Sequence, residues 1–173
     1  MKQIFIAITL VLMVAAFFSC KENSLEKQRS NELKSLNEFM RTQYPGKEPQ
    51  PSGLYYFELQ EGTGDSIKIG DRVQLFYELW TLDSVNIGSN GSYEPLEVVV
   101  APPTQLSSSA THEGQMRALH EALTYMKRGS KARLIFDSSL GFGQFGASGI
   151  PGFLPLIMEV EVYKVYPAPV QEQ

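Results

Sequence analysis

The chain has 173 residues, of which 43% are apolar and 20% charged, and its net charge is −4. That length suits one domain with an extension, and that composition suits a globular core rather than a disordered chain. No run of lysines or arginines occurs, so the basic face that nucleic acid requires is missing and nucleic acid is excluded as a partner.

The first element is "MKQIFIAITLVLMVAAFFSC", in which Lys2 precedes an unbroken apolar run from Ile4 to Phe18. About 15 residues of helix reach about 22 Å, short of the ~30 Å hydrocarbon core of a bilayer, so the run reads as a secretory signal. It closes on Ser19 and Cys20, the only cysteine of the chain. This resembles the lipobox of bacterial lipoproteins, with Phe17 where leucine is usual. The resemblance implies lipidation of Cys20 and a membrane anchor at the cell envelope; the plainer alternative is ordinary cleavage that leaves a free thiol. With one cysteine no internal disulfide can form, and the core holds by packing alone.

Residues 1–19 are thus expected to be a signal, residues 20–52 a polar spacer and residues 53–173 the folded domain. Within the spacer, Leu25, Leu33, Leu36, Phe39 and Met40 recur at helical spacing and predict a helix between Ser24 and Thr42. Tyr44-Pro45-Gly46 ends it, and "PGKEPQPSG" reads as a linker. The helix either lifts the domain off a membrane or pairs and docks through its narrow apolar stripe, which leaves the oligomeric state open.

The domain reads mostly as strands. "GLYYFELQEGTG" is aromatic and closes on a Gly-rich turn, and "SIKIGDRVQLFYELWTLDS" places a turn at Ile69-Gly70-Asp71 and then a long strand with Val73, Leu75, Tyr77 and Leu79 on one face. "EPLEVVVAPP" is a shorter strand stopped by prolines. "EGQMRALHEALTYMKRG" begins a helix whose Met116, Leu119, Leu123 and Met126 line one face, with Lys127, Arg128 and Gly129 as basic last turn and C-cap. Strands over Lys131–Phe136 and Leu156–Val165 complete an α+β domain, an antiparallel sheet of five strands with one helix.

Between those last strands, Gly141, Gly143 and Gly146 are spaced as G-x-G-x-x-G. A phosphate-binding loop of that spacing must open a helix, yet "ASGIPGFLP" follows, with two prolines and two more glycines. The nucleotide reading fails. What remains is a stiffened flap that presents Phe142 and Phe145 beside the sheet, with Ile150 and Pro151 beyond, as a wall for an apolar ligand. His112 and His120 have no metal-ligand spacing with acids or cysteines, so neither a metal nor a cofactor is expected.

The order of "GTG", "GDRVQLFYELW", "EALTYMKRGSKARLIF", "GFGQFG" and "IPGFLPLIMEVEV" resembles the FKBP-type peptidyl-prolyl isomerases over Gly62 to Lys164. The resemblance implies a half-barrel antiparallel sheet wrapped on one short helix and an apolar cup for a proline ring. It assigns Tyr77 and Phe142 as walls, Leu119 as floor, where tryptophan is frequent, and the Met116 backbone amide as a donor to a substrate carbonyl. Ile150 and Met158 match the apolar wall and far edge, while Ile87 and Leu96 fall where phenylalanines are common. Two departures stand out. Ile87-Gly88 replaces a Phe-Asp pair, which removes an acidic residue, and Phe142 lacks the usual tyrosine hydroxyl. The implied function is isomerisation of X-Pro bonds in exported, proline-containing polypeptides, weakened by those losses. A non-catalytic holdase or scaffold that clasps apolar segments is the competing expectation. Met116, Leu119 and Met158 also fit ordinary core packing, and Tyr77 a buried structural role.

Overall fold

The computed structural model describes residues 24–91, 93–147 and 149–169. The expected signal and Cys20 lie outside these. A helix, α1, spans residues 24–43. The strands are β1 (Tyr55–Gln60), β2 (Arg72–Thr81), β3 (Asn86–Ser89), β4 (Leu96–Val99), β5 (Lys131–Phe136) and β6 (Leu156–Tyr166), with helix α2 at Arg117–Leu123 between β4 and β5. The sheet is antiparallel throughout in the order β1-β5-β6-β2-β3, and β4 pairs with β2 beyond the end of β3.

The α+β sheet around a short helix is as expected, with six strands rather than five. The additional strand, β3, is four residues long and contains Gly88, so it carries no alternating apolar pattern that the sequence could display. β2 shares one edge between two partners. Arg72 to Leu75 pair with β4 and Glu78 to Trp80 with β3, while Asn90 fills the gap. Its Oδ1 accepts from the Tyr77 N–H at 2.8 Å and its Nδ2 donates to the Leu75 and Glu94 carbonyls, both at 3.0 Å. A side-chain amide thus supplies the bonds that the interrupted ladder lacks.

The concave face wraps α2. From β2 it receives Val73, Leu75 and Leu79, and from β6 Leu156, Met158, Val160 and Val162, all buried as period-2 alternation dictates. α2 buries six of its seven residues, Ala118 through Leu123, so it is a core helix and not an amphipathic surface one. It also stops earlier than its sequence suggests. Thr124 is the C-cap, and Lys127-Arg128-Gly129 form the next turn instead of a basic final turn; the side chain near the helix end is His120. Gly129, at φ 79°, turns the chain into β5.

The convex face is covered by α1. Leu36 and Met40 pack on Tyr55 and Ile135, with Phe39, Tyr44, Phe57, Leu82 and Ile157 around them. Glu32, buried on the same helix, accepts from the Ser138 N–H at 2.5 Å and the Ser138 hydroxyl at 3.0 Å. Arg29 clamps this contact, with Nη1 2.7 Å from Glu32 and Nη2 3.0 Å from Asp137. The segment after α1 is also tied down, since the Ser52 hydroxyl donates to Glu121 of α2 at 2.8 Å.

Candidate active site

Eight side chains from six parts of the chain belong to the large apolar core on the concave face of the sheet. Met116, Leu119, Phe142 and Met158 are buried in it, and Tyr77, Ile87, Leu96 and Ile150 pack half-buried against it. β2 brings Tyr77, β3 Ile87, β4 Leu96, α2 and its entry turn Met116 and Leu119, the β5–β6 segment Phe142 and Ile150, and β6 Met158. The eight residues expected to form a proline cup are therefore all part of this core, four of them buried and four half-buried against it. An open groove of about 1070 Å³ lies elsewhere, between α1 and the β5–β6 segment, lined among others by Leu25, Leu33 and Phe153; it uses none of the eight.

Phe142 departs from its expected setting. It is 3% exposed and part of the core, whereas Phe145 is the flap's exposed ring at 79%. The glycines explain how Phe142 is drawn in. A β-carbon at Gly143, whose φ is +69°, would overlap the Ser109 hydroxyl and lie 2.7 Å from the Ser108 carbonyl, so the β5–β6 segment seats against the β4–α2 loop only with glycine there. Gly146, at φ +71°, likewise leaves no room between its backbone and Ile150. The glycine spacing serves loop-to-loop contact, and no helix follows it.

The β4–α2 loop lies against the β5–β6 segment. Its last turn, Glu113–Gln115, is a 3-10 turn in which the Met116 N–H donates to the Glu113 carbonyl at 3.0 Å. The Met116 amide expected to meet a substrate carbonyl is thus already engaged at its own turn. His120, which reads from the sequence as an ordinary surface or helix residue, is buried and pins this loop twice. Its Nδ1 accepts from the Ala101 N–H at 3.0 Å, and its Nε2 lies 2.9 Å from the Gly114 carbonyl. That pattern requires the neutral ring with its proton on Nε2, and burial lowers the His120 pKa below the usual histidine value.

Glu113 is the residue that the sequence gives no means to find. Its carboxylate reaches across to β3, and a β-carbon built on Gly88 would lie 3.4 Å from Glu113 Oε1. The same carboxylate faces the Tyr77 hydroxyl. Burial, and then Glu113, push the Tyr77 pKa up to about 12. An acidic group therefore occupies the space beside position 88 although residue 88 is glycine. The two positions are 25 apart in a stretch of irregular loops, and no spacing rule joins them.

Residues 64–163 match the family model described as FKBP-type peptidyl-prolyl cis-trans isomerase. The chain belongs to the FKBP-type isomerase family. An "FK506-binding protein" of Neisseria meningitidis serogroup B is 32% identical over 117 residues, which cover 66% of this chain and 97% of that protein. The FKBP-type isomerase FkpA of Escherichia coli K12 is 28% identical over 125 residues, 72% of this chain but 42% of FkpA, so the chain spans less than half of that relative. The crystal structure of FkpA from Escherichia coli matches with a TM-score of 0.68 and 24% identity over 95% of this chain and 73% of that one, a likeness of fold. A peptidyl-prolyl isomerase from Pseudomonas syringae pv. tomato matches at a TM-score of 0.61 and 27% identity, over 80% of this chain and 96% of that one. Residue 142 is phenylalanine and residue 88 glycine, and the carboxylate beside position 88 is that of Glu113.

Proposed function

We propose that this chain accelerates cis–trans rotation about X-Pro bonds in exported polypeptides, held to a membrane of the cell envelope through Cys20. The observation that supports the catalytic part is the family fold, whose apolar core includes Tyr77, Ile87, Leu96, Met116, Leu119, Phe142, Ile150 and Met158. The apolar run ending at Cys20 supports export and anchoring. On this reading residues 1–19 are the signal, residues 20–52 link it to the domain through α1, and residues 53–173 act on clients.

The chemistry needs no nucleophile. The barrier to X-Pro rotation, about 18–20 kcal/mol, comes from amide resonance, which the twisted transition state gives up. A twisted amide is less dipolar than a planar one, so an apolar cavity disfavours it less than it disfavours the ground state. Each 1.36 kcal/mol of that difference gives about tenfold in rate. Leu119 would seat the proline ring, Tyr77 and Phe142 would wall the rotating bond, Ile87, Leu96, Ile150 and Met158 would exclude water, and the Met116 N–H would exchange or share its turn bond with a substrate carbonyl. The hydroxyl missing at Phe142 lowers turnover by about ten- to thirtyfold, the worth of one hydrogen bond made mainly in the transition state.

A second reading, a non-catalytic holdase, is favoured by one feature: of the two donors expected to meet substrate, one is absent at Phe142 and the other is engaged at Met116. Exchange spectroscopy by NMR on a short X-Pro peptide separates them. Faster cis–trans exchange in the presence of the full chain establishes the isomerase. Peptide shifts with unchanged exchange establish the binder and sink catalysis.

A further inference from the structure

Glu113 combines three features. It is half-buried at the rim of an apolar cup, its carboxylate stands over the bare backbone of Gly88, and it faces the hydroxyl of Tyr77. Among the described residues it forms no ion pair. A partly desolvated carboxylate without a cation is a burden on stability unless it acts on something. Its surroundings also hold it in place: the Gln115 side chain binds the Thr111 N–H and hydroxyl, and His120 holds the Gly114 carbonyl. The turn is thus fixed on both sides of Glu113, and Asn90 fixes the backbone of Tyr77.

We propose that Glu113 is a positioning and specificity residue of this isomerase, orienting the Tyr77 ring through its hydroxyl from across the rim and setting a negative charge where the substrate chain enters. It occupies, from a different loop, the space that a side chain at position 88 would fill. Two consequences follow from the charge and the contact. Tyr77 keeps one ring orientation against the proline, and substrates with a basic residue beside proline are taken in preference to acidic ones by about fivefold, the effect of one unit charge a few ångströms away in partly screened surroundings.

The proposal rests on the isomerase reading, and the test separates the two. In the full chain, kcat/KM is measured on Ala-Xaa-Pro-Phe peptides with Xaa as Lys, Ala or Glu, and peptide affinity is read from NMR shifts. Glu113→Gln is expected to lower kcat/KM and to abolish the Lys-over-Glu preference in both rate and affinity. In a Tyr77→Phe background, the same change should leave the rate on the uncharged peptide unaltered, because the contact it breaks is already gone.

Position 88 supplies the stronger arm. Gly88 has no left-handed φ, and a β-carbon there meets the Glu113 carboxylate at 3.4 Å and Leu79 at 3.8 Å, so an aspartate fits once Glu113 is shortened. Gly88→Asp alone places two carboxylates together and is expected to reduce activity. Gly88→Asp combined with Glu113→Ala is expected to regain both the rate and the charge preference lost in Glu113→Ala alone. An unchanged Lys-over-Glu ratio in Glu113→Gln, or a double variant no better than Glu113→Ala, overturns the proposal. If the wild-type chain is silent in exchange, the isomerase reading fails, and the charge preference in peptide affinity still decides whether Glu113 governs the rim.

Discussion

Asn90 holds the backbone of Tyr77 and the Glu113 carboxylate lies near its hydroxyl, and neither partner is its neighbour in sequence. The alternation of β2 places Tyr77 on the core face, as its sequence indicates. What the sequence could not supply is the partner, because residues 83–112 hold two short strands and irregular loops in which no periodicity fixes register. The same limit explains Phe142. Glycines on either side suggest an exposed ring, yet the close approach of Gly143 to Ser108 and Ser109 pulls it into the core. Phe142→Ala should therefore cost about 3–5 kcal/mol in urea unfolding, as truncation of a buried ring does. Phe145→Ala, at an exposed ring, should stay within about 0.5 kcal/mol of wild type.

His120 gives a pH dependence with a definite sign. Its folded pKa lies below the unfolded value, so the unfolded chain takes up the proton first and protonation favours unfolding. The stability it contributes is complete above about pH 6.5, the unfolded value, and is lost as pH falls toward the folded value. Thermal melts at pH 7.5 and 5.5 should differ more in wild type than in His120→Asn. Equal pH sensitivity in wild type and His120→Asn would remove His120 from this role.

At the scale of elements, α2 and α1 are opposite cases. α2 is legible as a helix from the spacing of Met116, Leu119 and Leu123, but its length is not: it ends at Thr124, whose hydroxyl donates to the Glu121 carbonyl at 2.7 Å, although the apolar spacing runs on to Met126. α1 is legible from Leu33, Leu36, Phe39 and Met40, yet the stripe alone does not say what it covers. The decisive residues are polar. Glu32 has no exposed side-chain surface, and its cation is Arg29, a third exposed. Arg29→Ala leaves a buried carboxylate with only the two Ser138 donors and should destabilise the protein by about 3 kcal/mol, since removing one partner of a buried pair strands the other. Hydrogen exchange should show the α1 amides losing protection before those of β5 and β6. Uniform loss across the molecule would mean that α1 is no separate cooperative unit.

For the whole molecule, the antiparallel sheet wrapped on one helix was legible because β1, β2, β5 and β6 carry clear alternation or aromatic runs and α2 a clear 3.6 period. β3 was not, being four residues with a glycine. The eight residues proposed for the cup follow only from the family's motif order; composition and periodicity alone leave most of them as core. One comparison tests the central claim most directly: cis–trans exchange in an X-Pro peptide with the full chain, wild type against Ile150→Lys. Ile150 is half-buried, so the substitution places a charge where the proposed cup would open without emptying the core. Exchange well above the uncatalysed rate in wild type, and close to background in Ile150→Lys with an unchanged melting temperature, is the expected result. Equal exchange in the two proteins would contradict the placement of the cup, and no enhancement by wild type would contradict catalysis itself.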